Sequence, residues 1–120
     1  MQIVDKVEDI YLLVDKEETI GSVACYGNEI DDLIVSQEFQ RQGYGKQLLL
    51  WAIWHIRERS NEPITLHVAA WNQGAIMLYE KCGFERSHVL KDFFTDHYDH
   101  PIYECGVLLQ DMVYLRYPLL

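Results

Sequence analysis

Between Gln40 and Lys46 the chain reads Gln-Arg-Gln-Gly-Tyr-Gly-Lys, with two glycines one residue apart and a cation on either side. Such glycines let a backbone turn sharply, so that successive N–H groups converge ahead of a helix. Those amides have no partner inside the helix, and the helix dipole adds about half a positive charge. A diphosphate is the group this arrangement suits, with Arg41 and Lys46 as side-chain help. Two better-known phosphate loops do not match. A Walker loop needs Gly where Gln40 stands and Ser or Thr where Gln47 stands, and a dinucleotide fingerprint needs a third Gly at Leu48.

Three cysteines, Cys25, Cys82 and Cys105, are an odd number without C-x-x-C spacing, which argues against a disulfide framework or a zinc site and for a reducing compartment. Asp96-His97-Tyr98-Asp99-His100 has the residue types of a metal cluster but lacks further paired ligands, so no metal is expected. Ten Lys and Arg against nineteen Asp and Glu give a net charge of −9. That balance excludes nucleic acid as the expected partner and favours cationic ones. Met1 to Asp5 lacks the basic-then-apolar order of a secretory signal, and the longest uncharged apolar run, Leu48 to Trp54, is too short to cross a membrane. A cytoplasmic protein without membrane contact is expected.

The elements that must position these residues follow from hydrophobic period. With 49% hydrophobic residues and no repeat or linker, residues 1–120 are read as a single domain. Ile10 to Val14 and Ile20 to Tyr26 flank a charged turn, and Gly27-Asn28 is a two-residue loop that returns Glu29 to Val35 antiparallel, which predicts a three-stranded meander. Leu48, Leu49, Ala52, Ile53 and Ile56 share one face of a helix from about Gly45 to Arg59, stopped by Ser60 to Pro63. Ile64, Leu66 and Val68 alternate with polar or small neighbours as a strand that can lie parallel to Glu29–Val35 after a crossover. Asn72 to Cys82 is a second helix with Ala75, Leu78, Tyr79 and Cys82 on one side, Asn72 as N-cap and Gly83 as the left-handed C′ residue. Phe84 starts another strand, a long loop precedes Leu109, and Met112 to Tyr117 closes the sheet. The fold class is α+β with a mixed, mostly antiparallel sheet and helices packed on it.

Gln40, Gly43 and Gly45 fill the pattern Gln/Arg-x-x-Gly-x-Gly/Ala, and Asn72, Ala75, Leu78, Tyr79, Lys81, Gly83 and Phe84 fill Asn-x-x-Ala-x-x-Leu-Tyr-x-Lys-x-Gly-Phe without a gap. In these two motifs, at this spacing, the chain resembles the GNAT superfamily of N-acetyltransferases. The resemblance covers Ile20 to Phe84 and implies a central sheet splayed at an acetyl-CoA site. It implies that the pantetheine arm bonds to backbone groups of Leu33, Ile34 and Val35, with Asn72 helping to hold it. The diphosphate then lies on Gln40, Arg41, Gln42, Gly43, Tyr44, Gly45 and Lys46.

The resemblance further implies transfer of acetyl to a primary amine by direct attack in a ternary complex, with Tyr79 as the acid that protonates the leaving thiolate. A phenol suits that task because its unperturbed pKa lies within about two units of a thiol's. On its residues alone Tyr79 reads first as a core aromatic beside Ala75 and Leu78, and only the surrounding motif turns the reading to the acid. Two positions compete for the general base. Glu29 stands where histone-acetylating members carry a glutamate, and His67 stands where ribosomal-protein-acetylating members carry one. The acceptor is expected to be a small cationic amine or a protein lysine or N-terminal amine, and Asp96 to His100 is read as lining its cleft. Trp51 and Trp54 lie off the first helix's core stripe and mark a candidate homodimer contact. A non-catalytic CoA-binding module is the alternative. By the resemblance, family members also carry about two helices before the meander that wall the acceptor site, and with the first clear strand by about Ile10 a reduced version is expected here, its wall supplied by a partner subunit, by the Asp96–Pro101 loop or by neither.

Overall fold

Runs of β-branched and aromatic residues between Ile10 and Val35, cut by polar two-residue turns, leave little choice but strands. A computed structural model describes residues 2–7 and 9–117, and within it the chain divides into two compact units, one ending at Ile64 and one beginning at Thr65.

The first unit is an antiparallel meander in the order β1 (Gln2–Val7), β2 (Ile10–Asp15), β3 (Glu18–Tyr26) and β4 (Glu29–Val35). The sequence predicted three of these strands. β1 is the addition, and it escaped because Ile3 and Val4 are adjacent and break the alternation that marks a half-buried strand. The Gly27-Asn28 turn forms as expected, with Tyr26 paired to Glu29 and the Asn28 side-chain amide donating to the Pro63 carbonyl at 2.6 Å. Ile20, Val23, Ala24 and Cys25 are buried along β3. Over them lies α1 (Tyr44–Arg57), whose buried residues Leu48, Leu49, Ala52, Ile53 and Ile56 are the predicted stripe. It starts one residue before, and ends two before, the predicted bounds. Trp51 is not the exposed aromatic that a dimer contact would use. Its ring stacks on the buried His55 at 4.7 Å and meets Tyr11 at 4.8 Å, whereas Trp54 is 57% exposed.

The second unit contains β5 (Ile64–Ala69, from Thr65 on), α2 (Gln73–Lys81), β6 (Glu85–Leu90), α3 (Phe93–His97), the small hairpin β7 (Tyr103–Glu104) and β8 (Val107–Leu108), and β9 (Met112–Tyr117). Its main strands run in the order β5-β9-β6, with β6 and β9 antiparallel. Leu66, Ala69, Ile76, Phe84, Met112, Val113 and Leu115 are its buried residues of note. The predicted alternation of β5 slips at its end, where Ala69 rather than Val68 is buried. The stretch expected to be a long loop carries α3 and the β7–β8 hairpin. Among the described residues no helix is long and apolar enough to cross a membrane.

Candidate functional site

In the first unit the site grows from an irregularity in β4. Ser22 pairs with Ile34 and Ala24 with Asp31, so Asp32 and Leu33 face Val23 alone, and Asp32 takes φ 47°. A bulge of this kind interrupts the ladder and re-aims the strand end. Leu33 and Val35 are half-buried there and Ile34 is 56% exposed. Ser36 and a 3₁₀ turn over Gln37–Phe39 follow, and the Gln40 side-chain amide then donates to the Val35 carbonyl at 3.0 Å. Gln40 therefore ties the loop to the strand end. Gln42 ties the loop to the 3₁₀ turn, donating to the Glu38 carbonyl at 3.3 Å.

Arg41 has φ 62° and Gly43 has φ 88°, so the backbone between them alternates into the left-handed region, a geometry that turns amides to one side. The first intrahelical bond of α1 runs from Gln47 N–H to the Gly43 carbonyl at 3.1 Å, leaving the amides of Tyr44, Gly45 and Lys46 ahead of it. No side chain caps this end and its first turn has no acid. The dipole is thus uncompensated at a point where Arg41, Gln42, Gly43 and Lys46 are exposed and where a Cβ on Gly43 would meet nothing within 4 Å. The Phe39 and Tyr44 rings meet edge-on at 6.2 Å across the turn. Glu29, the first candidate base, is half-buried at the opposite end of β4 from this loop.

In the second unit α2 is held at both ends. Asn72 caps it, accepting from Ala75 N–H at 3.1 Å. At the C-terminus Gly83, at φ 105°, donates to the Glu80 carbonyl at 3.1 Å, and Phe84 N–H donates to the Tyr79 carbonyl at 3.0 Å. These are the two bonds of a Schellman motif, and its usual apolar contact is the Tyr79–Phe84 ring pair at 6.2 Å. The same loop end that terminates the helix thereby fixes the backbone of Tyr79. The residue that anchors α2 is Ile76, fully buried, whereas Ala75, Leu78, Tyr79 and Cys82 are half-buried. Four apolar or small residues at helical spacing read as core from sequence, and only burial separates them from the anchor. Burial pushes the Tyr79 phenol above its ordinary value of 10.0, so it keeps its proton at neutral pH.

His67, the other candidate base, is half-buried on β5 with its ring 5.4 Å from that of Tyr114 on β9, which stacks at 4.7 Å on His88 of β6. No periodicity in the sequence foretold this row of three rings, because it depends on strand order. His97 Nδ1 lies 2.8 Å from the Phe93 carbonyl and His100 Nδ1 2.8 Å from Asp99 Oδ1. No group of three His, Cys, Asp or Glu able to hold a metal occurs among the described residues. Of the cysteines, Cys105 is exposed and Cys82 half-buried, while burial, with the nearby Asp9 charge adding to it, pushes the Cys25 thiol up to about 11.

The sequence profile described as the acetyltransferase (GNAT) family matches residues 4–84. The chain belongs to this family. It is 32% identical over 92% of its length to the uncharacterized N-acetyltransferase YvbK of Bacillus subtilis, spanning 67% of that protein. Shorter matches include the ribosomal protein bS18-alanine N-acetyltransferase of Escherichia coli, 33% identical over 52% of this chain and 43% of that one. Another is the spermidine N(1)-acetyltransferase of Vibrio cholerae, 38% identical over 53% of this chain and 38% of that one. By their names, these two GNAT relatives acetylate amines. Among solved structures, the fold is similar to a Bacillus subtilis acetyltransferase in complex with CoA, with a TM-score of 0.82 and 32% identity over 92% of this chain and 76% of that one. A GNAT acetyltransferase from Elizabethkingia anophelis with acetyl-CoA bound gives a TM-score of 0.80 and 31% identity over 92% of this chain and 75% of that one.

Proposed function

We propose that residues 1–120 act as a single acetyltransferase domain that moves an acetyl group from acetyl-CoA to a primary amine by direct attack in a ternary complex. The observation that carries this reading is the uncapped, acid-free start of α1 behind Gly43, a diphosphate cradle made of main-chain amides. The similar structures solved with CoA and acetyl-CoA support it. The cofactor needs such a cradle because its phosphates are anionic and the chain carries a net −9. Local backbone dipoles have to outweigh the overall field.

In this proposal the diphosphate rests on the amides of residues 41–46, with Gln40 positioning the loop. The pantetheine arm runs along Leu33, Ile34 and Val35, where an N–H freed by the bulge polarises the thioester carbonyl. Asn72 orients the arm as well as capping α2. The amine nitrogen attacks the carbonyl carbon, the C–S bond breaks, and the departing thiolate takes the proton of Tyr79. The nitrogen's extra proton passes to Glu29 or His67, directly or through water. A phenol kept neutral by burial is in the right state for its step. The acidic balance favours a cationic acceptor, and the relatives named for spermidine and for a protein alanine act on amines of both expected kinds.

Thermal shift with acetyl-CoA, followed by release of free CoA thiol across a panel of amines, tests the reading. A ligand at 100 times its Kd adds about 2.7 kcal/mol of stability, a rise in Tm of several degrees for a chain of this size. Both a shift and amine-dependent thiol release are expected. A shift without thiol release leaves the non-catalytic CoA-binding module, and no shift removes both.

A further inference from the structure

Across the second unit three rings form a row on one side of the sheet. The His67 ring of β5 lies 5.4 Å from that of Tyr114 on β9 at a tilt of 33°, and Tyr114 stacks on His88 of β6 at 4.7 Å and 14°. Because β9 runs between β5 and β6, Tyr114 is flanked by an imidazole on either side. His88 and Tyr114 are also direct cross-strand partners. The neighbours of Tyr114 along β9, Val113 and Leu115, are buried, so strand alternation turns Tyr114 to the opposite face. Exposure rises outward along the row. His67 and Tyr114 are half-buried, whereas His88 is exposed on the edge strand with its Nδ1 2.9 Å from the Ser87 hydroxyl oxygen.

Cross-strand ring pairs stabilise a sheet without serving any chemistry. This row differs at its inner end, which is one of the two residues that the acetyl-transfer reading offers for the acceptor's proton. We infer that His67 takes that proton and that Tyr114, with His88 behind it, is the positioning residue that holds the His67 ring for the transfer. The inference rests on the acetyltransferase function proposed above and adds its base and the support of that base. An imidazole turns about two side-chain bonds unless something packs on it, and a base has to keep a nitrogen within hydrogen-bond reach of the amine while the N–C bond forms. The Tyr114 ring limits that turning, and His88 limits the turning of Tyr114 from the solvent side. The protons balance. As the C–S bond breaks, Tyr79 protonates the thiolate and His67 removes the extra proton of the nitrogen; the imidazolium then returns a proton through water to the Tyr79 phenolate. While His67 is charged the ring face of Tyr114 attracts it, since the 5.4 Å between their centroids is within the roughly 6 Å over which a cation and a phenol face interact.

Rates of CoA thiol release at saturating acetyl-CoA test this, with spermidine and with a peptide bearing an N-terminal alanine as acceptors. His67→Ala is expected to lower kcat about 100-fold. Tyr114→Leu, which keeps apolar bulk but no ring, is expected to lower it about tenfold, with KM for acetyl-CoA within about twofold of wild type. Tyr114→Phe keeps the ring face and should stay within about twofold in kcat. The deciding variant is the double one. If Tyr114 acts through His67, Tyr114→Leu on a His67→Ala background changes kcat by less than about twofold, whereas a merely structural role lowers it again. His88→Ala, at an exposed edge position, repeats the comparison should Tyr114→Leu fail to fold, with about a threefold loss expected only while His67 is present. The inference is overturned by an effect of either substitution that persists without His67, by a Phe variant as slow as the Leu one, by a folded Tyr114→Leu at the wild-type rate, or by His67→Ala at full rate. Thiol release by the wild type beside any of these results leaves the acetyltransferase reading standing, and no release with either acceptor removes both.

Discussion

The 40–46 turn into α1 and residues 92–111, which carry α3 and the β7–β8 hairpin, are both largely exposed, yet they are made of opposite materials. In the proposed function the loop works through main-chain amides, while its side chains set the turn: Gln40 and Gln42 bond back to Val35 and Glu38, and Gly43 supplies the left-handed φ. Residues 92–111 instead present side chains, with Phe93, Phe94, Tyr98 and Tyr103 among five carboxylates, on a backbone held by the short helix α3 and the β7–β8 hairpin. A cofactor with fixed phosphates can be met by a fixed backbone geometry. An acceptor is distinguished by charge and shape, and those are properties of side chains. Tyr79 stands between the two cases, a single side chain whose backbone is locked by the motif that ends α2.

That contrast can be broken by substitution. Tyr79→Phe removes one hydroxyl and no packing, so kcat is expected to fall about 100-fold while acetyl-CoA affinity stays within about twofold, as read by steady-state rates and a binding isotherm. Its pH dependence sharpens the point. Because burial raises the phenol above 10.0, the wild type should keep this acid protonated through pH 9 and lose it only above 10, and the Phe variant should show no such alkaline limb. An unchanged kcat would move the proton source elsewhere.

Gly83→Ala tests whether the end of α2 is a structural lock. The new Cβ would lie 2.9 Å from Tyr117 Cε2 at a residue with φ 105°, and a loss of about 2 kcal/mol, seen as a Tm several degrees lower, is expected. Asn72→Ala removes only the cap bond to Ala75 and should cost about 1 kcal/mol in chemical denaturation. A larger fall in acetyl-CoA affinity than in stability would show that Asn72 also touches the cofactor. Arg41→Ala should have the smallest effect, a loss of affinity for acetyl-CoA of about threefold, since an exposed cation adds little beside a fixed set of amides. A tenfold loss would mean that side-chain charge, and not the backbone, grips the phosphates.

The same contrast decides what the sequence makes legible. Gly43, Gly83 and Asn72 announce themselves because only a few residue types tolerate a positive φ or cap a helix, and each sits where the sequence predicts. The α1 stripe is as readable, since its period is set by burial against a sheet face. The bulge at Asp32–Leu33 is not, because Asp tolerates a left-handed φ wherever it stands and does not by itself mark which strand residue goes unpaired. Nor is the row His67–Tyr114–His88, which joins residues on three strands whose order local pattern does not encode. α3 and the small hairpin are not legible either, because a five-residue helix and two-residue strands are shorter than the window in which a period emerges. Ile76 does not stand out as the anchor of α2 for a different reason: its neighbours Ala75 and Leu78 fit the same helical spacing, and which face is covered depends on the partner element.

Isothermal titration of acetyl-CoA into the wild-type chain and into Gly43→Val tests the main-chain cradle most directly. Saturable heat with one site is expected from the wild type, and from the variant at least a 100-fold weaker isotherm with retained thermal unfolding, since a branched side chain at φ 88° distorts the turn and stands before its amides. Equal affinities, or no heat from the wild type, would contradict it.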